Sequence, residues 1–209
     1  MVSKNGCFIV FEGIDGSGKS TQISLLKEHI EEHSINCMTT MEPSNGPIGT
    51  LLRQFLSGRI KGEETTLTAL FAADRLDHLN NPVNGIRKLL EDGIAVISDR
   101  YVFSNYAYQS VSVPLEWIMK CNEMANEIVR PDCHIFIDVA PETAMDRVSK
   151  GRHQTDIYET LDRLTDVRER YLDLIHRMED VENIIIIDGN RPEKEIADDI
   201  WAKVCHYFV

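Results

Sequence analysis

The chain has 209 residues, 43% hydrophobic and 27% charged, and its 22 basic and 34 acidic residues give a net charge of −12. This is the balance of a globular protein of about one domain, and it excludes disordered, collagenous and low-complexity chains. No stretch approaches the ~18 apolar residues of a membrane span, and a global negative field argues against coating DNA or RNA, so neither a membrane nor a nucleic acid is expected as a partner.

In chain order, the N-terminal Met1-Val2-Ser3-Lys4-Asn5-Gly6 lacks the long apolar segment of a signal peptide, so a cytoplasmic location is expected. Five short apolar runs follow, at Cys7–Phe11, Cys37–Met41, Ile94–Ser98, Cys133–Val139 and Ile184–Ile187. Several are continuous rather than alternating, as strands covered on both faces are. Between them lie helical patterns. Ser20–His33 carries Ile23, Leu26 and Ile30 on one face. Glu64–Leu79, Asn84–Glu91, Pro114–Ile128, Glu142–Ser149, Tyr158–Met178 and Glu193–Tyr207 also read as helices. Strand–helix alternation implies a parallel sheet with helices on both sides. No repeat or Ser/Gly/Pro linker interrupts residues 1–209, which read as one domain. The five cysteines, Cys7, Cys37, Cys121, Cys133 and Cys205, form no CxxC pair. They read as buried thiols in a reducing compartment.

The strongest local signal is Gly13-Ile14-Asp15-Gly16-Ser17-Gly18-Lys19-Ser20, which fits the P-loop pattern G-x-x-x-x-G-K-[ST]. It follows the first strand and opens the first helix, the context this motif requires. Its glycines let backbone N–H groups turn toward phosphate oxygens, and the helix N-terminus adds a favourable potential for anions. Lys19 is expected to reach the β- and γ-phosphates and Ser20 to ligate Mg²⁺. Thr21 continues the same turn. The loop specifies a nucleotide, not a reaction. No guanine-reading NKxD motif is present, and the arginines downstream point to a small phosphotransferase that joins two polyanionic substrates.

Further motifs make the sequence resemble the thymidylate kinase (dTMP kinase) family. They are Phe11-Glu12 before the P-loop, Glu42-Pro43, Leu70-Phe71-Ala72-Ala73-Asp74-Arg75, Asp99-Arg100-Tyr101, Asn105 and Ala107-Tyr108-Gln109. Asp138-Val139, Arg147 and Lys150-Gly151-Arg152 complete the set. The resemblance implies a three-layer α/β P-loop kinase fold, with five parallel strands in the order 2-3-1-4-5. It implies the reaction ATP + dTMP → ADP + dTDP, with Mg²⁺ and a homodimer.

Phe71 and Arg75 stand four apart on one helix face, an aromatic plane beside a guanidinium fork. Spacing alone leaves Phe71 open to a plain core role; the resemblance implies thymine stacking. Asp99 and Arg100 sit past the end of a buried strand, where parallel sheets place ligands. The resemblance implies that Arg100 holds the dTMP phosphate, that Asp99 supports Mg²⁺ or its water, and that Asp15 positions the acceptor and metal. It places Glu42 and Pro43 at the acceptor, and Arg53, on the helix after them, at its phosphate. It implies that Asn105, Tyr108 and Gln109 read thymine's edge and cover the deoxyribose, though by pattern they could be ordinary helix residues.

Arg147, Lys150, Arg152 and His153 form a basic cluster in an acidic chain, a lid at about 147–158 by resemblance. Some family members carry a catalytic arginine in the P-loop, where Gly16 stands here. The lid then supplies it, Arg152 being the first choice and Arg147 lying against adenine. Tyr158 is implied to approach the nucleoside. Met41 and Ser44 flank Glu42-Pro43 where other members carry Arg or Gly, and Ser110–Pro114 is a short connection. Another deoxynucleotide or nucleoside kinase, or a P-loop regulatory module that binds ATP without turnover, are the alternatives.

Overall fold

Phe8-Ile9-Val10-Phe11-Glu12 carries no apolar–polar alternation because neither face of this strand meets water. All five residues are buried in β1 (Phe8–Glu12). In the computed structural model, residues 6–151 and 160–208 are described. Around β1 lie β2 (Cys37–Met41), β3 (Ala95–Asp99), β4 (Cys133–Asp138) and β5 (Ile184–Asp188). The sheet order is β2-β3-β1-β4-β5, and every pairing is parallel. Val10 stands level with Ser98 on one side and His134 on the other. The expected strand order is therefore observed.

Among the described residues eight helices connect the strands, α1 (Lys19–Glu32), α2 (Pro47–Leu56), α3 (Glu64–Asn80), α4 (Ile86–Glu91), α5 (Val102–Gln109), α6 (Leu115–Ile128), α7 (Pro141–Gly151) and α8 (Leu161–Met178), and α9 (Glu193–Val204) follows β5. A 3₁₀ turn, Cys205–Tyr207, ends the last predicted helix early. The helix predicted from Tyr158 starts at Leu161 instead. Thr160 caps it, its side chain accepting a hydrogen bond from the Arg163 N–H. Hydrophobic period does not mark α5. All eight of its residues are buried, so it has no polar face and no amphipathic stripe to detect.

The core runs through β1, β3 and β4 and the helix faces packed on them, with Leu26, Ile30, Tyr101, Ile118, Leu164 and Ile200 nearly or fully buried. Each such side chain contributes about 1.5–3 kcal/mol relative to exposure. The outer strands differ. Only Cys37 is buried in β2, and Ile186 in β5 is 52% exposed, although its four isoleucines read like an inner strand. Chain direction across the sheet reverses between β1 and β3. Their carboxyl ends therefore open a crevice, the usual ligand position in such sheets.

The five cysteines are free, with Cys37 and Cys133 buried. Burial raises the Cys37 thiol to about 11 and the Cys133 thiol to about 12, so neither is a thiolate at neutral pH. Among the described residues no helix is long and apolar enough to cross a membrane.

Candidate active site

The crevice holds two cavities. The larger, about 750 Å³, is lined by Asp15, Gly16, Ser17, Gly18, Lys19, Ser20 and Thr21, with Arg147 and Arg191 on its outer wall. Gly18 caps α1 at φ 97° with no side-chain hydrogen bond, so the first-turn N–H groups remain for an anion. Gly16 sits at φ 80°, and a Cβ there would lie 2.3 Å from the Ala144 carbonyl oxygen on α7. An arginine at this position would be strained and would push against α7.

Lys19 Nζ donates to the Gly13 and Ile14 carbonyls, each at 3.1 Å. Burial, then the nearby Arg100 charge, push its ammonium below the usual lysine range, while Asp99, Asp15 and Glu12 partly restore it. The Ser20 hydroxyl donates to Asp99 Oδ2 at 3.1 Å. Asp99 Oδ1 is buried with no hydrogen-bond partner among the described residues. A hydroxyl beside a carboxylate with a spare oxygen is a hard-oxygen donor set, and it fits Mg²⁺.

The smaller cavity, about 160 Å³, is lined by Pro43, Leu56, Phe71, Arg75, Tyr101, Ser104, Asn105, Tyr108 and Gln109. It shares Asp15, Glu42 and Arg100 with the larger one, so the two meet at these side chains. Arg100 has a φ of 75°, a rare conformation for a residue with a side chain and one found where function holds it. Its Nη2 pairs with Asp15 at 2.7 Å and donates to the Tyr108 hydroxyl at 3.2 Å. Its Nη1 donates to the Gly13 carbonyl at 3.2 Å and to Ser104 Oγ at 3.1 Å. Burial alone would raise the Asp15 carboxyl, but Arg100 and Lys19 overcome it and hold it at about 2. Burial keeps the Tyr108 hydroxyl protonated well above the tyrosine range, so it donates to Asp15 Oδ2 at 2.8 Å.

Phe71 and Arg75 both face the smaller cavity from α3. Arg75 is 1% exposed, lies over the Tyr101 ring, and is tied to Glu42 through Nε at 2.8 Å and Nη2 at 2.6 Å. Glu42 also reaches His78 Nδ1 at 3.3 Å. The loop after β2 is held from the same helix: Asp74 accepts from the Ser44 N–H and hydroxyl, both at 2.6 Å. Ser44 thus serves the loop in place of the residues expected there.

Some predicted residues lie elsewhere. Arg53 lines neither cavity; its Nη1 donates to the Pro43 and Ser44 carbonyls at 3.0 and 2.7 Å, bracing the Glu42-Pro43 loop. Arg147 lines the larger cavity and reaches the Gly189 carbonyl at 3.0 Å. Lys150 is exposed beside Asp146. Arg152, His153 and Tyr158 lie outside the described residues. The short connection after Gln109 is a tight turn, with the Ser112 and Val113 N–H groups on the Gln109 carbonyl at 3.0 and 2.9 Å.

Glu12, given no role by the motif that contains it, joins the site, as do Leu56, Ser104 and Tyr171, which the sequence did not single out. Buried Glu12 accepts from the Tyr101 N–H at 2.9 Å, Ser104 Oγ at 2.5 Å and Tyr171 at 2.9 Å. Burial, outweighing these donors and the Arg100 charge, raises its carboxyl. A charged residue ending an otherwise apolar strand was the available signal for Glu12. Nothing local marks Leu56 or Tyr171.

Residues 11–200 match the family model described as thymidylate kinase. The chain is 38% identical over 202 residues to the thymidylate kinase of Symbiobacterium thermophilum, spanning 92% of this chain and 90% of that one. It is 37% identical over 206 residues to a probable thymidylate kinase of Methanobrevibacter smithii, with 96% and 95% covered. A probable thymidylate kinase of Methanocaldococcus jannaschii is 38% identical over 192 residues, covering 90% and 89%. Matches of this length take in the P-loop, both cavity walls and the closing strand and helix alike, and the chain belongs to the thymidylate kinase family.

Proposed function

We propose that the chain transfers the γ-phosphoryl group of ATP to dTMP, giving ADP and dTDP, with the donor in the larger cavity and the acceptor in the smaller. The observation that carries this reading is the shared wall: Asp15, Glu42 and Arg100 border both cavities. A dTMP phosphate oxygen forms the new bond to Pγ while the bond from Pγ to the bridging oxygen of ADP breaks in line, so no covalent enzyme intermediate is needed. Arg100 holds the acceptor phosphate, held in turn by Asp15. The P-loop N–H groups with Gly13, Gly16, Ser17 and Gly18 cradle the donor phosphates, and Lys19 follows the charge on the moving group. Mg²⁺, held by Ser20 and supported by Asp99, supplies charge neutralisation at the donor phosphates when bound.

Arg53 braces the Glu42-Pro43 loop around the acceptor. Arg147 flanks adenine, Lys150 adds to the basic lid at about 147–158, Arg152 supplies the transition-state arginine, and Tyr158 closes over the nucleoside. Phe71 stacks on the base, Arg75 donates to its O4 carbonyl, and Asn105 and Gln109 meet its polar edge. Tyr108, tied to Asp15, covers the sugar and leaves a ribose 2′-hydroxyl no partner. The chain works as one domain in the cytoplasm and as a homodimer. Leu51 on α2 and Trp117 and Met124 on α6 are exposed apolar side chains that fit an interface. Light scattering that reports a monomer at micromolar concentration contradicts the dimer.

The test of the reaction is kcat/KM for dTMP, dUMP, UMP and dCMP with ATP and Mg²⁺. The expected order is dTMP, then dUMP, then UMP and dCMP far behind. Equal use of dCMP and dTMP overturns the base reading, and absence of ADP release overturns the kinase reading in favour of a module that only binds ATP.

A further inference from the structure

Asn122 on α6 lines neither cavity and is fully buried, yet it joins two residues that line the smaller one. Its Oδ1 accepts from Arg75 Nη1, and its Nδ2 donates to Asn105 Oδ1 at 2.8 Å and to the Ile118 carbonyl at 2.9 Å. Asn105 Nδ2 in turn donates to Gln109 Oε1 at 3.0 Å. Arg75, Asn105 and Gln109 are each no more than 2% exposed, so these contacts are shielded from bulk solvent.

The chemistry leaves one orientation for the row. A guanidinium has only N–H donors, so Asn122 must turn its carbonyl to Arg75. Its amide N–H groups then face Asn105 and the Ile118 carbonyl, itself an acceptor only. Asn105 must therefore offer its carbonyl to Asn122 and its NH₂ to Gln109. One donor-only group sets the direction of three amides. Reversing any of them leaves like groups opposed in a buried site, which is costly.

We infer that Asn122 is a positioning residue for base selectivity, holding the Arg75 fork and the Asn105 amide in the donor–acceptor pattern that accepts a 4-oxo pyrimidine and rejects a 4-amino one. This rests on the acceptor-cavity reading above. Asn122 touches no base; it decides what Arg75 and Asn105 present to one. Asn122→Asp keeps the shape and keeps an acceptor toward Arg75, but offers no donor to Asn105. The Asn105 amide then turns its NH₂ to the new carboxylate, and the pattern facing Gln109 and the base inverts.

The experiment compares kcat/KM for dTMP and dCMP in the wild type, Asn122→Asp and Arg75→Ala, with the KM for ATP and thermal unfolding measured alongside. In Asn122→Asp the dTMP-to-dCMP ratio is expected to narrow about 10–100-fold, the size of losing a buried hydrogen-bond match. The change should fall mainly on the KM for dTMP and leave the KM for ATP as it was. A merely structural asparagine would lower stability and move neither the ratio nor this split. Asn122→Ser carries the same test if the aspartate variant does not fold. Narrowing in both Asn122→Asp and Arg75→Ala supports the inference. Narrowing in Arg75→Ala alone overturns it and leaves the base reading standing; narrowing in neither overturns both.

Discussion

The larger cavity, proposed for the donor, and the smaller, proposed for the acceptor, share a wall but are built in opposite ways. The donor cradle is one consecutive stretch, Gly13–Ser20, closed by the N-terminus of α1. Its Lys19 contacts reach back only five and six residues. The acceptor cavity draws on β2's following loop, α2, α3, α5 and the P-loop. Its ties span 33 residues from Arg75 to Glu42, 47 from Arg75 to Asn122 and 93 from Tyr108 to Asp15. The cradle binds phosphate with backbone geometry that many sequences can supply. The smaller cavity, on the proposed reading, discriminates with side chains that only this tertiary arrangement brings together.

The sharpest way to break the donor side is Lys19→Ala. The lysine's charge acts chiefly at the transferring group, so kcat should fall by about 10³ or more while the protein stays folded. Near-normal kcat in a folded variant removes the P-loop assignment. Next in size is Arg152→Ala, expected to lower kcat by roughly 10²–10³ with little change in dTMP affinity, because such an arginine acts after both substrates are bound. If Arg147→Ala or Lys150→Ala shows that signature instead, another member of the cluster holds the role.

On the acceptor side the effects are smaller and fall on selectivity. Arg75→Ala should narrow the dTMP-to-dCMP ratio on the order of 10–100-fold, by weakening dTMP use. Replacing dTMP by dUMP removes one methyl group and should cost about 1–3 kcal/mol in kcat/KM. Steady-state kinetics with each acceptor measures both.

The smallest effect concerns the shared wall. Asp15 is held at about 2, below an ordinary aspartate near 4, so its ionised form stabilises the fold. That stability is complete above the unfolded value and is lost as pH falls from about 4 toward 2, at most about 2.5 kcal/mol. The stability gap between the wild type and Asp15→Asn should therefore be constant near neutrality and close over that acid window. Denaturant unfolding across pH 2–7 reads it, and a gap that stays constant to pH 2 separates Asp15 from Arg100.

Patterns carried by consecutive residues were legible before the fold. The five apolar runs became β1 to β5 within one residue at each end. Gly13–Ser20 took its expected place between strand and helix, and the four-residue spacing of Phe71 and Arg75 put both on one cavity wall. Hydrophobic period and turn chemistry act over one or two turns of chain, so the sequence alone determined them. Tertiary structure decided the rest. It buried every side of α5, erasing the period that would have announced it. It exposed Ile186 by placing β5 at an edge, turned Arg53 onto loop carbonyls, and set α7 against Gly16 so that no side chain fits there. It also brought Asn122 to Arg75 and Tyr171 to Glu12. Each of these depends on which distant element arrives as neighbour, and buried polar groups are satisfied by whatever donor or acceptor the packing supplies, a choice no local pattern records.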